Sequence, residues 1–535
     1  MRVYVTGYDG GAAPAAVRLE EAVARALAVA RGCRLLHNDL ALWEARPGRS
    51  LAKHRYQGSG ARVWRVAFEV ADRVVGALEG EPTLPRARQV LRNELAAQLF
   101  RAAYDHVALE TLRAEVDDAD AWRAPGRRVP LRPAAWATLA FYRARLRAGA
   151  QPAGAPLPRP DGPCTWLLFS GHAPSRAVAA LLPELEPGRA VALVNASFMP
   201  KDVLQRLDDL GLPRRNLAPP HPASWRAVHD TLERLLAATG GNSAPLAPGD
   251  LGRALGRLAV YWHAYQDVPA RSGAAICPGD LVVTGNDRTL NLATFVVEAA
   301  RQGARSVTLQ DGVFEGTLHV TTFPSDRIGV FGERFRDLYL AAGVAPERVL
   351  VTGQRAWEGY APEPPTAAEE RRRLLGTDAR VALFCTQYYP VSDLEARDAL
   401  ELVLAALDRC PGWELVVKPH PHFPIDHVLA RLSRPVRQVS GPVRPLVAAA
   451  DAVLAVSSTV LIEAALLGRP AAAVTASGRV GGCPTADGVA VRELGSVDDV
   501  QAFLLAPAAA DVAAYRRANA APFDADAARR LLAGP

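Results

Sequence analysis

From residue 164 onward, short apolar segments rich in β-branched residues alternate with amphipathic helical segments such as LATFVVEAARQG. The apolar segments are CTWLLF, AVALVNA, DLVVTG, SVTL, RIGVFG and RVLVTG. The pattern restarts after residue 368 with RVALFCT, WELVVKP, VRQVS, ADAVLAVSS and AAAVT. Strands that alternate with helices form βαβ units with a parallel sheet. The sequence therefore predicts an α/β fold with two consecutive Rossmann-like domains.

Two proline-rich segments, at 148–163 and 360–368, are too poor in periodic apolar residues to form structure of their own and are interpreted as linkers. They predict three parts of the chain: an α-rich N-terminal region at 1–147, a first Rossmann-like domain at 164–359 and a second at 369–535. The N-terminal region begins with one strand, VYVTG, and continues in long helical patterns such as VWRVAFEVADRVVGALEG.

The composition is that of an ordinary globular protein, with 49% hydrophobic and 22% charged residues. The net charge of +6 comes from scattered basic residues that are not interleaved with aromatics, so nucleic-acid binding is not expected. The six cysteines lie far apart without CxxC or Cys/His spacing, which predicts reduced thiols and no zinc site. No signal peptide or membrane-length apolar segment is recognised. We expect a cytoplasmic protein, at most peripheral on the inner face of the membrane.

In doubly wound sheets, ligands bind where strands end and helices begin. ADAVLAVSSTVLIEAALL places the hydroxyls of Ser457, Ser458 and Thr459 at such a point, followed by Glu463 one helical turn later. Hydroxyls at a helix start are suited to a phosphate, and the carboxylate to a ribose hydroxyl. The alternatives are that one hydroxyl simply caps the helix and that the acid complements the helix dipole.

WELVVKPHPHFP ends a strand in Lys418 and places His420 between two prolines, the second being Pro421. The prolines keep the backbone extended, so the imidazole is predicted to stay at the carboxyl edge of the sheet. There it is suited to stabilise a leaving phosphate as hydrogen-bond partner or general acid.

SVTLQDGVFEG places Asp311 and Gly312 directly after a strand of the first domain. A carboxylate at an interdomain cleft is suited to act as a base, although Asp-Gly after a strand is also a common turn.

Weaker candidates follow other strands. Gly171 and His172, and Gly353 and Gln354, are candidates for the cleft or an acceptor loop. Glycines 7, 10 and 11 lack full GxGxxG spacing and are interpreted as a turn. Asp118 and Asp120 spell DxD in a polar run that is predicted to end a helix, where a metal role is not expected.

Together, QDG at 310–312, HP at 420–421 and SST at 457–459 resemble the D/E-D/E-G, HP and SS/ST motifs of bacterial sialyltransferases, polysialyltransferases and capsule β-Kdo transferases, over roughly residues 164–475. The departure is Gln310, where that pattern has an acid. The resemblance implies a GT-B fold, in which the two parallel sheets face a cleft, and makes Asp311 the base. The same stretch is also similar to CDP-glycerol transferases, which more often have His-Gly in place of QDG.

The expected function is that of an inverting, metal-independent glycosyltransferase with a CMP-activated acidic sugar as donor and a glycan or glycolipid as acceptor, without a cofactor. The donor-binding residues would be Lys418, Pro421, Ser457 to Thr459 and Glu463, with Asp311 and His420 catalytic. Three alternatives stay open: a CDP-glycerol-type phosphotransferase, an enzyme similar to UDP-GlcNAc 2-epimerase, and a non-catalytic nucleotide-binding module.

Overall fold

The computed structural model describes residues 2–6, 34–37, 48–50, 60–76, 89–96, 99, 120–123, 130–147, 160–195, 199–218, 220–239, 246, 248–287, 290–313, 323–364, 366–386, 393–420, 425–475, 486–507 and 511–533. Among them are three all-parallel sheets. The second and third belong to two α/β domains, which confirms the predicted fold class.

The N-terminal region contains a four-stranded sheet of order β3-β2-β1-β4. Its elements are β1 (Arg2–Thr6), β2 (Arg34–His37), β3 (Gly48–Ser50), helix α1 (Gly60–Gly76), β4 (Asp120–Arg123) and helix α2 (Leu131–Arg147). Only β1 is predicted by the sequence pattern. The segments RLLH, GRS and DAWR are too short and too polar to show strand periodicity.

The second sheet has seven strands in the order β11-β10-β9-β8-β5-β6-β7. Its strands are β5 (Thr165–Phe169), β6 (Ala190–Val194), β7 (Arg214–Asn216), β8 (Leu281–Thr284), β9 (Arg305–Leu309), β10 (Arg327–Val330) and β11 (Val349–Val351). The helices between them are α3 (His172–Ala179), α4 (Lys201–Asp209), α5 (Trp225–Ala238), α6 (Pro248–Gln266), α7 (Val268–Arg271), α8 (Leu290–Arg301) and α9 (Glu333–Ala341). All six predicted strands are present, and only the polar edge strand β7 was not predicted.

The third sheet has six strands in the order β14-β13-β12-β15-β16-β17. Its strands are β12 (Arg380–Cys385), β13 (Trp413–Lys418), β14 (Arg437–Gln438), β15 (Ala452–Ala455), β16 (Ala471–Val474) and β17 (Val491–Leu494). Its helices are α10 (Ala368–Leu375), α11 (Asp393–Leu407), α12 (Asp426–Leu429), α13 (Val443–Ala449), α14 (Val460–Leu466) and α15 (Val497–Leu505), followed by α16 (Val512–Asn519) and α17 (Ala525–Ala533).

Successive residues of the central strands enter separate cores on the two faces of each sheet. In β5, Leu167 lies in one apolar cluster and Trp166 in the other, and in β12 Leu383 and Phe384 divide in the same way. Burial on both faces explains why these strands are continuously apolar.

The last helix of the chain returns to the second sheet. Leu531 of α17 lies in the core under β8 and β9, and the Arg305 and Arg327 guanidinium groups donate to the carbonyls of Leu532 (2.9 Å) and Arg530 (3.1 Å). The predicted second domain therefore shares its terminal helix with the first, while the predicted boundaries at 147, 164, 359 and 369 stay predictions.

Helices α2 and α6 pack closely because two glycines of α6 allow it. A Cβ at Gly256 would lie 2.5 Å from the carbonyl oxygen of Ala135, and one at Gly252 would lie 2.2 Å from that of Leu131. We expect Gly256→Ala to destabilise the protein by about 1–3 kcal/mol, the usual cost of overpacking, seen as a lower Tm. Gly188→Ala is the control, since no heavy atom lies within 4 Å of the added methyl. An unchanged Tm in Gly256→Ala would contradict this packing.

Candidate functional site

Three strand ends of the third sheet meet at its carboxyl edge. Strand β12 is central, with β13 on one side and β15 on the other. The Thr386 hydroxyl, directly after β12, accepts a hydrogen bond from the His420 amide at 2.9 Å, and the Thr386 amide donates to the Lys418 carbonyl at 3.1 Å. His420 and the Ser457–Thr459 loop therefore flank the same strand at the same edge. Pro421 lies outside the described residues.

The Ser457–Thr459 loop leads into α14. The Ser458 hydroxyl accepts from the Val460 amide at 3.3 Å, and the Thr459 side chain makes no capping hydrogen bond. The Ser458 hydroxyl therefore binds the first backbone amide of α14. This is the structural alternative that the sequence left open for one of the three hydroxyls. All three residues are partly exposed, so the loop is open to a ligand.

Glu463 is a half-buried acid at this edge. Burial raises the pKa of its carboxyl, and a hydrogen bond from the Tyr360 hydroxyl, 2.7 Å from Glu463 Oε2, opposes that rise together with the nearby charges of Lys418, Arg176 and Arg444. Burial next to this carboxylate also raises the pKa of Tyr360. Arg176 belongs to α3 of the first domain, so a basic side chain of that domain contributes to the electrostatics of this edge.

Beneath this group lies the Cys385 thiol, the last residue of β12. Complete burial raises its pKa to about 12, with Lys418 lowering it and Glu463 raising it further. The thiol is therefore protonated at neutral pH and packs in the apolar core of the domain. Cys164, Cys277 and Cys410 are also free thiols.

The raised pKa of Glu463 predicts a pH-dependent contribution to stability. The folded protein holds this proton more tightly than the unfolded chain, so the contribution is present below the ordinary carboxyl pKa of 4.5 and is lost as pH rises above it. Glu463→Gln has no proton to lose at this position. We therefore expect the Tm of the variant minus the Tm of the parent to increase from pH 4.5 to pH 8. Glu414→Gln, at an exposed position of β13, should show no such trend. A Tm difference independent of pH would exclude the effect.

At the carboxyl edge of the second sheet, Asp311 follows β9 and is partly exposed. Its Oδ2 accepts a hydrogen bond from the side-chain amide of Asn286 at 3.1 Å. Gln310 is buried, and its side chain accepts from the Phe331 amide at 2.9 Å and donates to the Gly312 carbonyl at 2.8 Å. A carboxylate at 310 would lack the donor, which explains the departure from the acidic pair of the resembled motif.

The remaining candidates lie as follows. Gly171 precedes α3, whose first residue is His172. Gly353 and Gln354 line a narrow recess with Gln310 and Phe523, and the Gln354 amide donates to the Ala521 carbonyl at 3.3 Å. These two residues therefore contact the segment that leads to the last helix, on the connection between the two domains.

Asp120 begins strand β4 and does not end a helix, while residues 7, 10, 11, 118 and 119 lie outside the described part of the chain. In the described part, no group of three or more His, Cys, Asp or Glu side chains is arranged to hold a metal ion. No helix in the same residues has the length and apolar character to cross a membrane.

The chain matches no protein-family model and no curated protein. Among solved structures, it is similar to UDP-GlcNAc 2-epimerase of Methanocaldococcus jannaschii in complex with UDP-GlcNAc and UDP, at 11% identity over 69% of this chain and 98% of that one, with a TM-score of 0.43. S. aureus MnaA with UDP is 12% identical over 69% and 95% of the two chains, with a TM-score of 0.44. Anabaena Alr3699/HepE with UDP-glucose is 14% identical over 69% and 98%, with a TM-score of 0.42.

These similarities correct the expected function. The solved structures named above are a UDP-GlcNAc 2-epimerase and complexes with UDP or UDP-glucose, and none of them is named as a transferase for CMP-linked acidic sugars. The QDG, HP and SST motifs do not identify the donor, because residues of this kind recur at the strand ends where doubly wound sheets bind phosphates.

Sequence reasoning missed four residues of the two edges: Thr386, Asn286, Tyr360 and Arg176. Thr386 and Asn286 follow predicted strands, so the strand-end rule applied to every strand would have found them. Tyr360 lies in a proline-rich linker, and Arg176 in an ordinary helical pattern, and neither carries a signal in the sequence.

Proposed function

We propose that this chain binds a UDP-linked N-acetylhexosamine at the carboxyl edge of its third sheet and inverts the sugar at C2 without an acceptor. The Glu463 carboxyl carries the proposal. It is half-buried, and the charges of Lys418 and Arg176 act on it, beside the open Ser457–Thr459 loop. A nucleoside diphosphate needs this combination, because its ribose hydroxyls donate hydrogen bonds and its phosphates require cations and donors.

In this proposal Glu463 accepts from the ribose, and Lys418 and the hydroxyls of Ser457–Thr459 bind the diphosphate. His420, fixed through its backbone amide to Thr386 at 2.9 Å, stabilises the diphosphate as a leaving group. Arg176 of the first domain lies close enough to Glu463 to influence its pKa, so closure of the two domains on the ligand would bring a further cation to the phosphates.

Asp311 supplies the proton transfer. C2 of the sugar carries no adjacent carbonyl that would make its proton acidic, so removal of that proton by Asp311 is paired with departure of UDP from C1, which leaves a C1=C2 double bond. Return of UDP to C1 and of a proton from solvent to the opposite face of C2 completes the inversion, and Asp311 releases its proton to water. The reaction is balanced without any second substrate.

The test is incubation of the protein in deuterated water with UDP-GlcNAc, the sugar nucleotide named for the 2-epimerase above. We expect proton NMR to show the C2 epimer with deuterium at C2. Release of free UDP without the C2 epimer would show that the protein hydrolyses the sugar nucleotide and does not invert it. An unchanged sugar nucleotide would exclude catalysis on this substrate.

Ligand binding is tested separately by thermal shift, since a ligand that binds only the folded state raises the Tm. We expect UDP to raise the Tm more than CMP, CDP or GDP. A response to CMP without one to UDP would overturn the assignment of the nucleotide, and a response to UDP without conversion of any UDP-sugar would favour a binding module.

A further inference from the structure

Asn286 and Asp311 lie on neighbouring strand ends. Strands β8 and β9 pair in parallel with Thr284 opposite Thr308, and Asn286 and Asp311 follow these two threonines by two and three residues. The side-chain amide of Asn286 donates to Asp311 Oδ2 at 3.1 Å. Both residues are partly exposed, so the pair lies at the surface of the edge where a ligand would enter.

The backbone of Asn286 is held by the residues before it. Its amide donates to the Thr284 hydroxyl at 3.2 Å, and that hydroxyl donates to the Asn286 carbonyl at 3.0 Å. Gly285 packs against α3 so tightly that a Cβ there would lie 2.2 Å from the Pro174 carbonyl oxygen. The turn after β8 therefore has little freedom to move.

The residue after Asn286 is equally fixed. Asp287 is buried and accepts hydrogen bonds from the Ser325 hydroxyl at 2.7 Å and the Ser325 amide at 3.2 Å. Ser325 in turn shares a hydrogen bond with the Thr308 hydroxyl of β9 at 2.6 Å. The network ties the turn to the same strand that carries Asp311, so Asn286 and Asp311 are held as one unit.

We propose that Asn286 is a positioning residue for Asp311, which orients the carboxylate toward the sugar and favours its ionised form; this role rests on the proposed function. An amide cannot titrate, and its N–H can only donate to the carboxylate oxygen. A hydrogen bond to the charged form of an acid stabilises that form. Asp311 can therefore act as a base at a lower pH than it could without the hydrogen bond from Asn286.

The test compares Asn286→Leu, of similar size without a donor, with Asn286→Gln, which keeps the amide. In Asn286→Leu we expect the acid limb of the kcat profile to move up by about one pH unit and kcat to fall about tenfold near that limb, as expected for loss of one hydrogen bond to a charged group. Asn286→Gln should restore much of both, and the Kd for UDP should be unchanged in either variant. An unmoved pH profile in Asn286→Leu would overturn the proposal.

A second measurement separates this proposal from the proposed function. Carbon NMR of protein labelled at the aspartate carboxyl carbon gives the titration of Asp311, identified by the resonance that Asp311→Asn lacks. We expect its midpoint to be higher in Asn286→Leu than in the parent. If the Asp311 midpoint shifts but no UDP-sugar is converted, the role of Asn286 stands and only the proposed function is refuted. If the midpoint does not shift, the role of Asn286 is refuted whatever the substrate.

Discussion

Asp311→Asn is expected to lower kcat by about 10²–10⁴-fold, the usual contribution of a positioned general base, and to leave the Kd for UDP unchanged. The amide has the same shape as the carboxylate but cannot take a proton. Nucleotide binding is assigned to the third sheet, with Glu463, Lys418 and the Ser457–Thr459 loop, and Asp311 belongs to the second. Its loss should therefore affect the reaction without affecting the nucleotide.

The measurement is the rate of C2 inversion of UDP-GlcNAc in Asp311→Asn, together with the Kd for UDP from calorimetry. Asp161→Asn makes the same substitution at an exposed position before β5 and is the matched control. Turnover similar to the parent in Asp311→Asn would show that another group removes the proton. A parallel loss of UDP binding would instead indicate that the side chain supports the fold of the edge.

The two large sheets could be predicted from sequence because their strands are buried on both faces. Segments such as DLVVTG and RVALFCT are then apolar without interruption, and helices of ordinary length separate them. The polar strand Arg214–Asn216 and the N-terminal strands after β1 offer no such signal, since an edge strand need not be apolar and segments of three or four residues are too short to show strand periodicity. Their pairing depends on partners distant in the sequence.

The site could be predicted only from the rule that ligands bind where the strands of a doubly wound sheet end and helices begin. That rule brought His420 and Ser457–Thr459 to one edge and Asp311 to another. It does not distinguish UDP from CMP, because it concerns phosphates and not bases. Nor does it give the Tyr360 hydroxyl at 2.7 Å from Glu463, since that contact depends on how the linker folds back over α14.

The linker is fixed there by arginines of the same domain. The Arg444 guanidinium bonds Glu363 at 2.6 Å and lies 4.6 Å from the centre of the Tyr360 ring, and Arg516 donates to the Tyr360 carbonyl. Tyr360 is thereby presented to Glu463 by contacts that no local sequence pattern encodes. These contacts explain how the half-buried carboxylate keeps its hydrogen bond.

Glu463→Ala should affect two ligands in different ways, and this separates ribose recognition from phosphate recognition. UDP should bind about 10–100-fold more weakly, because hydrogen bonds to a charged group contribute about 1.5–3 kcal/mol and each 1.4 kcal/mol is tenfold in Kd. Inorganic pyrophosphate has no ribose, and removal of a nearby negative charge should leave its binding unchanged or make it tighter.

Calorimetric titration of both ligands into Glu463→Ala, with Glu414→Ala on the exposed side of β13 as control, decides between these outcomes. Equal losses of affinity for UDP and pyrophosphate would indicate that the substitution disrupts the structure of this sheet edge. The reason is that the phosphates are assigned to Lys418 and the Ser457–Thr459 loop and not to the carboxylate. An unchanged Kd for UDP would remove Glu463 from the ribose site. The half-buried acid beside Tyr360 would then serve only to fix the linker to α14.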